Sequence, residues 1–155
     1  KMKSLLSIIF ISIILTNCGF KPIYSSKNSN FQIIEIKNNN KNRNSFTIEK
    51  MVMALSNQDG LTKVKLEMDY KQSITTILKD SKGDPSKKKL SIDLNLQVKN
   101  EKDNILVSKN FNEEFSYDIQ SDKFKMGQYE NNIINNLSNK ISNDIIFMLE
   151  TLNDN

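Results

Sequence analysis

The apolar positions of this chain recur with three different spacings, and each spacing predicts a different kind of element. The first is a continuous run, Leu5-Leu-Ser-Ile-Ile-Phe-Ile-Ser-Ile-Ile-Leu15, broken only by serines and preceded by Lys1 and Lys3. As a helix it would extend about 16 Å, well short of a bilayer core of roughly 30 Å. A basic start, a short apolar run and a small polar segment form the layout of an export signal, so residues 1–17 read as a removable leader.

Helical spacing comes next. Residues 25–30, all polar, read as a tether, and Phe31-Gln-Ile-Ile-Glu-Ile36 reads as a first strand rich in β-branched residues. The polar stretch 38–44, "NNNKNRN", reads as a loop. Ile48, Val52 and Leu55 then step by four and three, which predicts a helix from about Phe46 to Ser56. Ser45 is its expected N-cap, Glu49 falls in its first turn, and Gly60 is expected to supply a left-handed stop.

The middle of the chain alternates. Val64, Leu66, Met68, Tyr70, Ile74, Thr76 and Leu78 share one parity, against Lys63, Lys65, Glu67, Asp69, Lys71, Ser73 and Thr75 on the other. A turn-rich connection, "DSKGDPSK", leads to Leu90, Ile92, Leu94, Leu96 and Val98, which alternate with Ser91, Asp93, Asn95 and Gln97. After a loop at 100–104, Ile105, Val107, Phe111, Phe115 and Tyr117 predict one more strand with a single core face. Helical spacing returns at the end: Ile134, Leu137, Ile141, Ile145, Met148 and Leu152 cover 18 positions, five turns at 100° per residue, within a helix from about Lys123 to Leu152. The order β-α-β-β-β-α predicts an α+β fold, a two-layer sandwich with two helices on one face of a four-stranded, mostly antiparallel sheet. Residues 31–155 would form this single domain.

Composition narrows the chemistry. Histidine is absent, which removes the usual acid/base near neutral pH and the commonest metal ligand. One cysteine cannot make an internal disulfide or a thiolate zinc site, and no glycine-rich phosphate loop occurs. The formal charge is +4, and without residues 1–17 the chain keeps 20 basic and 18 acidic residues. That balance is no footprint of a nucleic-acid binder. No metal site, no cofactor and no enzymatic activity are expected.

Candidate sites are few. Glu113 and Glu114 are neighbours in a strand, so they point to opposite faces and cannot share a substrate. Asn136-Leu-Ser138 matches a glycosylation sequon but falls inside the last helix, which makes it a chance match. Phe111, Phe115 and Tyr117 share the core parity, so packing explains them better than base stacking. Lys79, Lys82, Lys87, Lys88 and Lys89 surround one hairpin connection. They read either as a solvated tip or as a contact for anionic phosphate or carboxylate groups. The polar face of the sheet likewise faces water or a second hydrated surface, such as the interior of a large β-barrel.

Cys18 has three readings: a buried core residue, a reactive thiol or a lipid attachment point. Its place just after the leader favours the third. The segment Leu15-Thr-Asn-Cys18 resembles a bacterial lipobox, with Asn17 where that pattern prefers Gly, Ala or Ser. Gly19 is not the aspartate that retains lipoproteins at the inner membrane, so the outer membrane is the expected destination.

Cys18-Gly-Phe-Lys-Pro-Ile-Tyr24 resembles the segment that begins mature LPS-assembly lipoproteins of the LptE family. The matching letters are Cys18, Gly19, Phe20, Pro22 and Tyr24, and the order of elements along the chain is also similar. The long final helix departs from the alanine-rich helix of such relatives. The resemblance implies a non-enzymatic lipoprotein, anchored through a covalent lipid on Cys18 at the periplasmic side of the outer membrane. It further implies a partner, an LptD-like β-barrel that such a protein plugs and helps to assemble, and a role in delivering lipopolysaccharide to the outer leaflet. The five lysines would then meet lipopolysaccharide phosphates. The alternative is a periplasm-facing lipoprotein that binds a small ligand or scaffolds the envelope without a barrel.

Overall fold

Leu90, Ile92, Leu94, Leu96 and Val98 are all completely buried, so the alternation in the middle of the chain marks a central strand with one face on the core. The computed structural model describes residues 30–152. The expected leader and the Cys18 segment, residues 1–29, lie outside them. The elements are β1 (Phe31–Asn38), α1 (Arg43–Ala54), β2 (Thr62–Lys79), β3 (Pro85–Lys99), β4 (Ile105–Asp118) and α2 (Lys123–Thr151). The sheet order is β1-β2-β3-β4, with β1 parallel to β2 and the other neighbours antiparallel. Both helices pack on one face, as the alternation and the two helical stripes predict.

The parallel pair needs a crossover, and α1 provides it. Its start lies earlier than Phe46. Asn42 is the N-cap, its side chain accepting from the Asn44 and Ser45 backbone N–H groups at 2.9 and 2.8 Å. Ser45 is the N3 residue of the capping box, its hydroxyl accepting from the Asn42 N–H at 2.9 Å. Glu49 therefore falls beyond the first turn, where its carboxylate accepts from Asn38 at 2.5 Å. Asn38 itself is no loop residue: it ends β1, buried, and also donates to Ser45 Oγ at 2.9 Å.

Strand β1 changes parity midway. Phe31 and Ile33 face the core, a register shift follows between Ile33 and Glu35, and Ile36 and Asn38 then turn inward. Ile34, at the shift, is exposed.

Helix α2 is capped by Asp122, which accepts from the Phe124 and Lys125 N–H groups at 3.0 and 3.1 Å. Its buried arc is wider than the predicted stripe. Ile133, Ile146 and Leu149 are buried beside Ile134, Leu137, Ile141, Ile145 and Met148, because α2 lies against both the sheet and α1. Leu152 is instead the partly exposed C-cap. Ile141 and Ile145 are wholly buried, each stabilising the fold by about 2–3 kcal/mol.

Two expectations about the sheet need correction. The core parity of β2 is buried only as far as Tyr70, and Lys71–Lys79 are exposed throughout. The reason is coverage. Helix α1 begins beside Gln72, where Asn44 donates at 2.8 Å, and runs back toward Phe31, leaving the hairpin arm bare. A register shift between Thr76 and Leu78 then sets Leu78 opposite Lys87, off the parity of Val64. Phe115 is likewise not a core residue: it is exposed on the edge strand, unlike Phe111 and Tyr117. The third correction is Gly60, whose φ is not positive; it is glycine because the chain passes against the Phe31 backbone.

Candidate functional site

The face of the sheet away from the helices carries no covering element among the described residues. Register places its side chains in rows across three strands: Glu67, Gln97 and Ser108; Asp69, Asn95 and Asn110; Lys71, Asp93 and Asn112. Ser73, Ser91 and Glu114 form the next row. This is the polar parity of the sequence, brought together by the two hairpins.

Cross-strand hydrogen bonds tie the rows. Asn110 Nδ2 donates to Asn95 Oδ1 at 2.7 Å, and Asn112 Nδ2 donates to Asp93 Oδ1 at 2.6 Å. Lys89 Nζ lies 3.0 Å from Glu114 Oε1, which also accepts from Ser91 Oγ at 3.1 Å. Asn40, in the loop after β1, donates to Asp69. The densest knot is Glu67, which receives Lys99 at 2.5 Å, Lys37 at 3.0 Å and Asn39 at 3.1 Å.

These donors set the electrostatics. The hydrogen bonds from Lys99, Lys37 and Asn39 hold the Glu67 carboxyl down at about 2. Lys65, donating to Asp103 at 2.8 Å, lowers the Asp103 carboxyl, and its own ammonium is raised in return. Lys89 and then Ser91 lower Glu114. Carboxylates held ionised in this way act as fixed counter-ions and acceptors, not as proton donors near neutral pH. The face can therefore offer many oriented hydrogen-bond groups to another hydrated surface.

Glu113 and Glu114 do point apart. Glu113 accepts from Lys140 of α2 at 2.7 Å on the helix side, and Glu114 stays on the open side. Ser138 of the sequon is buried within α2.

The five lysines are not gathered into one site. Lys87 is 3.9 Å from Asp118 and Lys89 is bound to Glu114, while Lys88 reaches Glu130 of α2 at 3.6 Å on the helix side. Lys79 and Lys82 have no ion pair among the described residues; they stand at the tip, where Asp80 accepts from the Lys82 and Asp84 N–H groups at 2.9 Å each. Sequence reasoning missed the apolar side chains of the same arm, Ile74, Ile77 and Leu78, all exposed. Their hydrophobicity sits in plain view, but only the end of helix coverage reveals that they are bare. Cys18, Gly19, Phe20, Pro22 and Tyr24 lie outside the described residues.

No family model matches the sequence, and a search of curated proteins finds no match. Solved structures do share the fold. Rare lipoprotein B from Shewanella oneidensis superposes with a TM-score of 0.58 at 8% identity, covering 76% of this chain and 91% of that one. A minor lipoprotein from Acinetobacter baumannii gives 0.60 at 11% identity, over 77% of this chain and 91% of that one. An uncharacterized lipoprotein B from Nitrosomonas europaea gives 0.63 at 6% identity, over 81% of this chain and 88% of that one. The fold of the described residues is thus one that bacterial lipoproteins use.

Proposed function

We propose that this protein is an outer-membrane lipoprotein, anchored through a lipid on Cys18 on the periplasmic side. In this reading it plugs an LptD-like β-barrel, supports the assembly of that barrel, and assists the insertion of lipopolysaccharide into the outer leaflet. The observation that carries the reading is the open polar face, hydrogen-bonded in rows and free of covering structure among the described residues. Such a face suits the water-filled interior of a large barrel, where bridging waters are nearly as good as direct hydrogen bonds. The shared fold with lipoproteins and the Cys18-Gly-Phe-Lys-Pro-Ile-Tyr24 segment support the same reading.

The chain extracted in mild detergent should carry a large β-barrel with it through purification. Purification without any barrel would refute the plug. Depletion should lower surface lipopolysaccharide; a normal level would point to an envelope lipoprotein with no barrel partner. Cys18→Ser should leave a soluble or leader-retaining form, and an unchanged mass in the membrane fraction would refute the anchor.

A further inference from the structure

At the end of the sheet opposite the hairpin tip lies an apolar cavity of about 220 Å³, lined by Phe31, Thr62, Val64, Leu106, Leu149 and Leu152. Thr62 is the one polar residue among the described residues that line it. Phe31, Val64 and Leu149 form a buried floor, while Leu106 and Leu152 remain partly exposed at the rim. A register shift between Val98 and Lys99 sets Ile105 opposite Lys99, leaving Leu106 free to turn toward this cavity. Apolar cavities of about 150 Å³ accept a benzene ring, so there is space here for an aromatic side chain.

The chain enters the sheet at this cavity. The Asn30 carbonyl accepts from the Thr62 N–H at 3.0 Å, and the next residue, Phe31, is part of the floor. Immediately upstream come the polar residues 25–29, and before them Phe20-Lys-Pro-Ile-Tyr24, a short stretch that carries the apolar residues Phe20, Pro22, Ile23 and Tyr24. Five residues separate Tyr24 from Asn30, and their six Cα-to-Cα steps reach about 20 Å when extended. A tether of this length holds Phe20–Tyr24 at an effective concentration of order millimolar, which a free partner does not match.

We infer that the cavity is the docking site of this chain's own segment Phe20–Tyr24, with Tyr24 or Phe20 seated between Leu106 and Leu152. The docked segment holds position 18 against this end of the domain. If Cys18 carries the anchor proposed above, the end with Phe31 and Leu152 is the end of the domain nearest the lipid. The docking itself does not depend on the lipid.

Disulfide trapping tests it in the full chain carrying Cys18→Ser, which has neither lipid nor native thiol. Lys21→Cys, which keeps Phe20 and Tyr24, combined with Thr62→Cys at the cavity should close an internal disulfide at least tenfold faster than Lys21→Cys combined with Asn95→Cys on the open face. Equal rates would overturn the inference, and disulfides between two chains would assign the cavity to a second copy. Hydrogen exchange without engineered thiols gives a second reading. The Ile23 and Tyr24 amides should exchange at least tenfold more slowly than Ser26, and Leu106→Asp should remove that protection. Exchange at the rate of an open chain would overturn the docking. Neither outcome touches the anchor, which is read separately from the mass of the native chain.

Discussion

Gly60 lies so close to Phe31 that a Cβ at position 60 would stand 2.5 Å from the Phe31 carbonyl carbon. The contact joins the end of the α1 connection to the first residue of the sheet, beside the hydrogen bond from the Asn57 N–H to the Phe31 carbonyl at 3.1 Å. Both partners are backbone, so neither can swing aside. Gly60→Ala should therefore cost roughly 1–3 kcal/mol in urea denaturation, as overpacking does elsewhere. Gly83→Ala is the useful contrast: open space surrounds it, and only its positive φ of 89° opposes a side chain. A penalty of about 1–2 kcal/mol there would come from backbone strain alone.

The two faces of β3 should respond differently to truncation. Leu94 is wholly buried, and Leu94→Ala should lose about 2–5 kcal/mol of stability. Asn95, its neighbour, is exposed on the open face. Asn95→Ala should change stability by no more than about 0.5 kcal/mol, while reducing the amount of partner barrel retained during purification. Equal losses of stability at both positions would mean that something covers the open face in the isolated protein.

Glu67 supplies a pH dependence with a definite sign. Its folded carboxyl lies at about 2 against an ordinary 4.5, so the folded state binds this proton less readily than the unfolded chain. The contribution is complete above 4.5 and is lost as pH falls toward 2. Glu67→Gln should consequently be less stable than the native chain at neutral pH, and the two should converge as acid protonates Glu67. The gap should also shrink in high salt, because the lysines that hold Glu67 are at the surface. A gap independent of pH would assign the effect to packing.

At the hairpin tip, the contact proposed for lipopolysaccharide phosphates narrows to two lysines. Lys79→Glu together with Lys82→Glu should weaken binding to lipopolysaccharide-containing vesicles by roughly tenfold or more, each charge near an anionic surface counting for about 1 kcal/mol. Thermal unfolding should stay close to that of the native chain. Lys88→Glu should do the reverse, lowering stability because Glu130 lies 3.6 Å from its ammonium. Unchanged vesicle binding in the double variant would return the tip to a solvated surface.

Much of this architecture is legible in the chain because period two survives wherever one face of a strand is covered. Leu90 to Val98 keep the pattern along the whole central strand, and the layer of two helices follows from their stripes. The pattern fails at Ile74, Leu78 and Phe115 for a reason no local period contains: burial there depends on where α1 and α2 stop. The shifts after Ile33 and Thr76 are set by pairing between distant strands, which reverses parity without any mark in the sequence. Asn42 and Ser45 are both good caps, and their reciprocal bonds decide which one leads. The open face was predicted as a polar parity, but its partners, such as Asn110 with Asn95, depend on register.

The central claim is that the open face of the sheet meets the interior of a β-barrel. Its most direct measurement is site-specific photo-crosslinking in the living envelope, with the probe placed at Asn95. The predicted result is a covalent adduct with a large outer-membrane β-barrel protein. A folded, membrane-associated chain whose probe at Asn95 captures no barrel would contradict it.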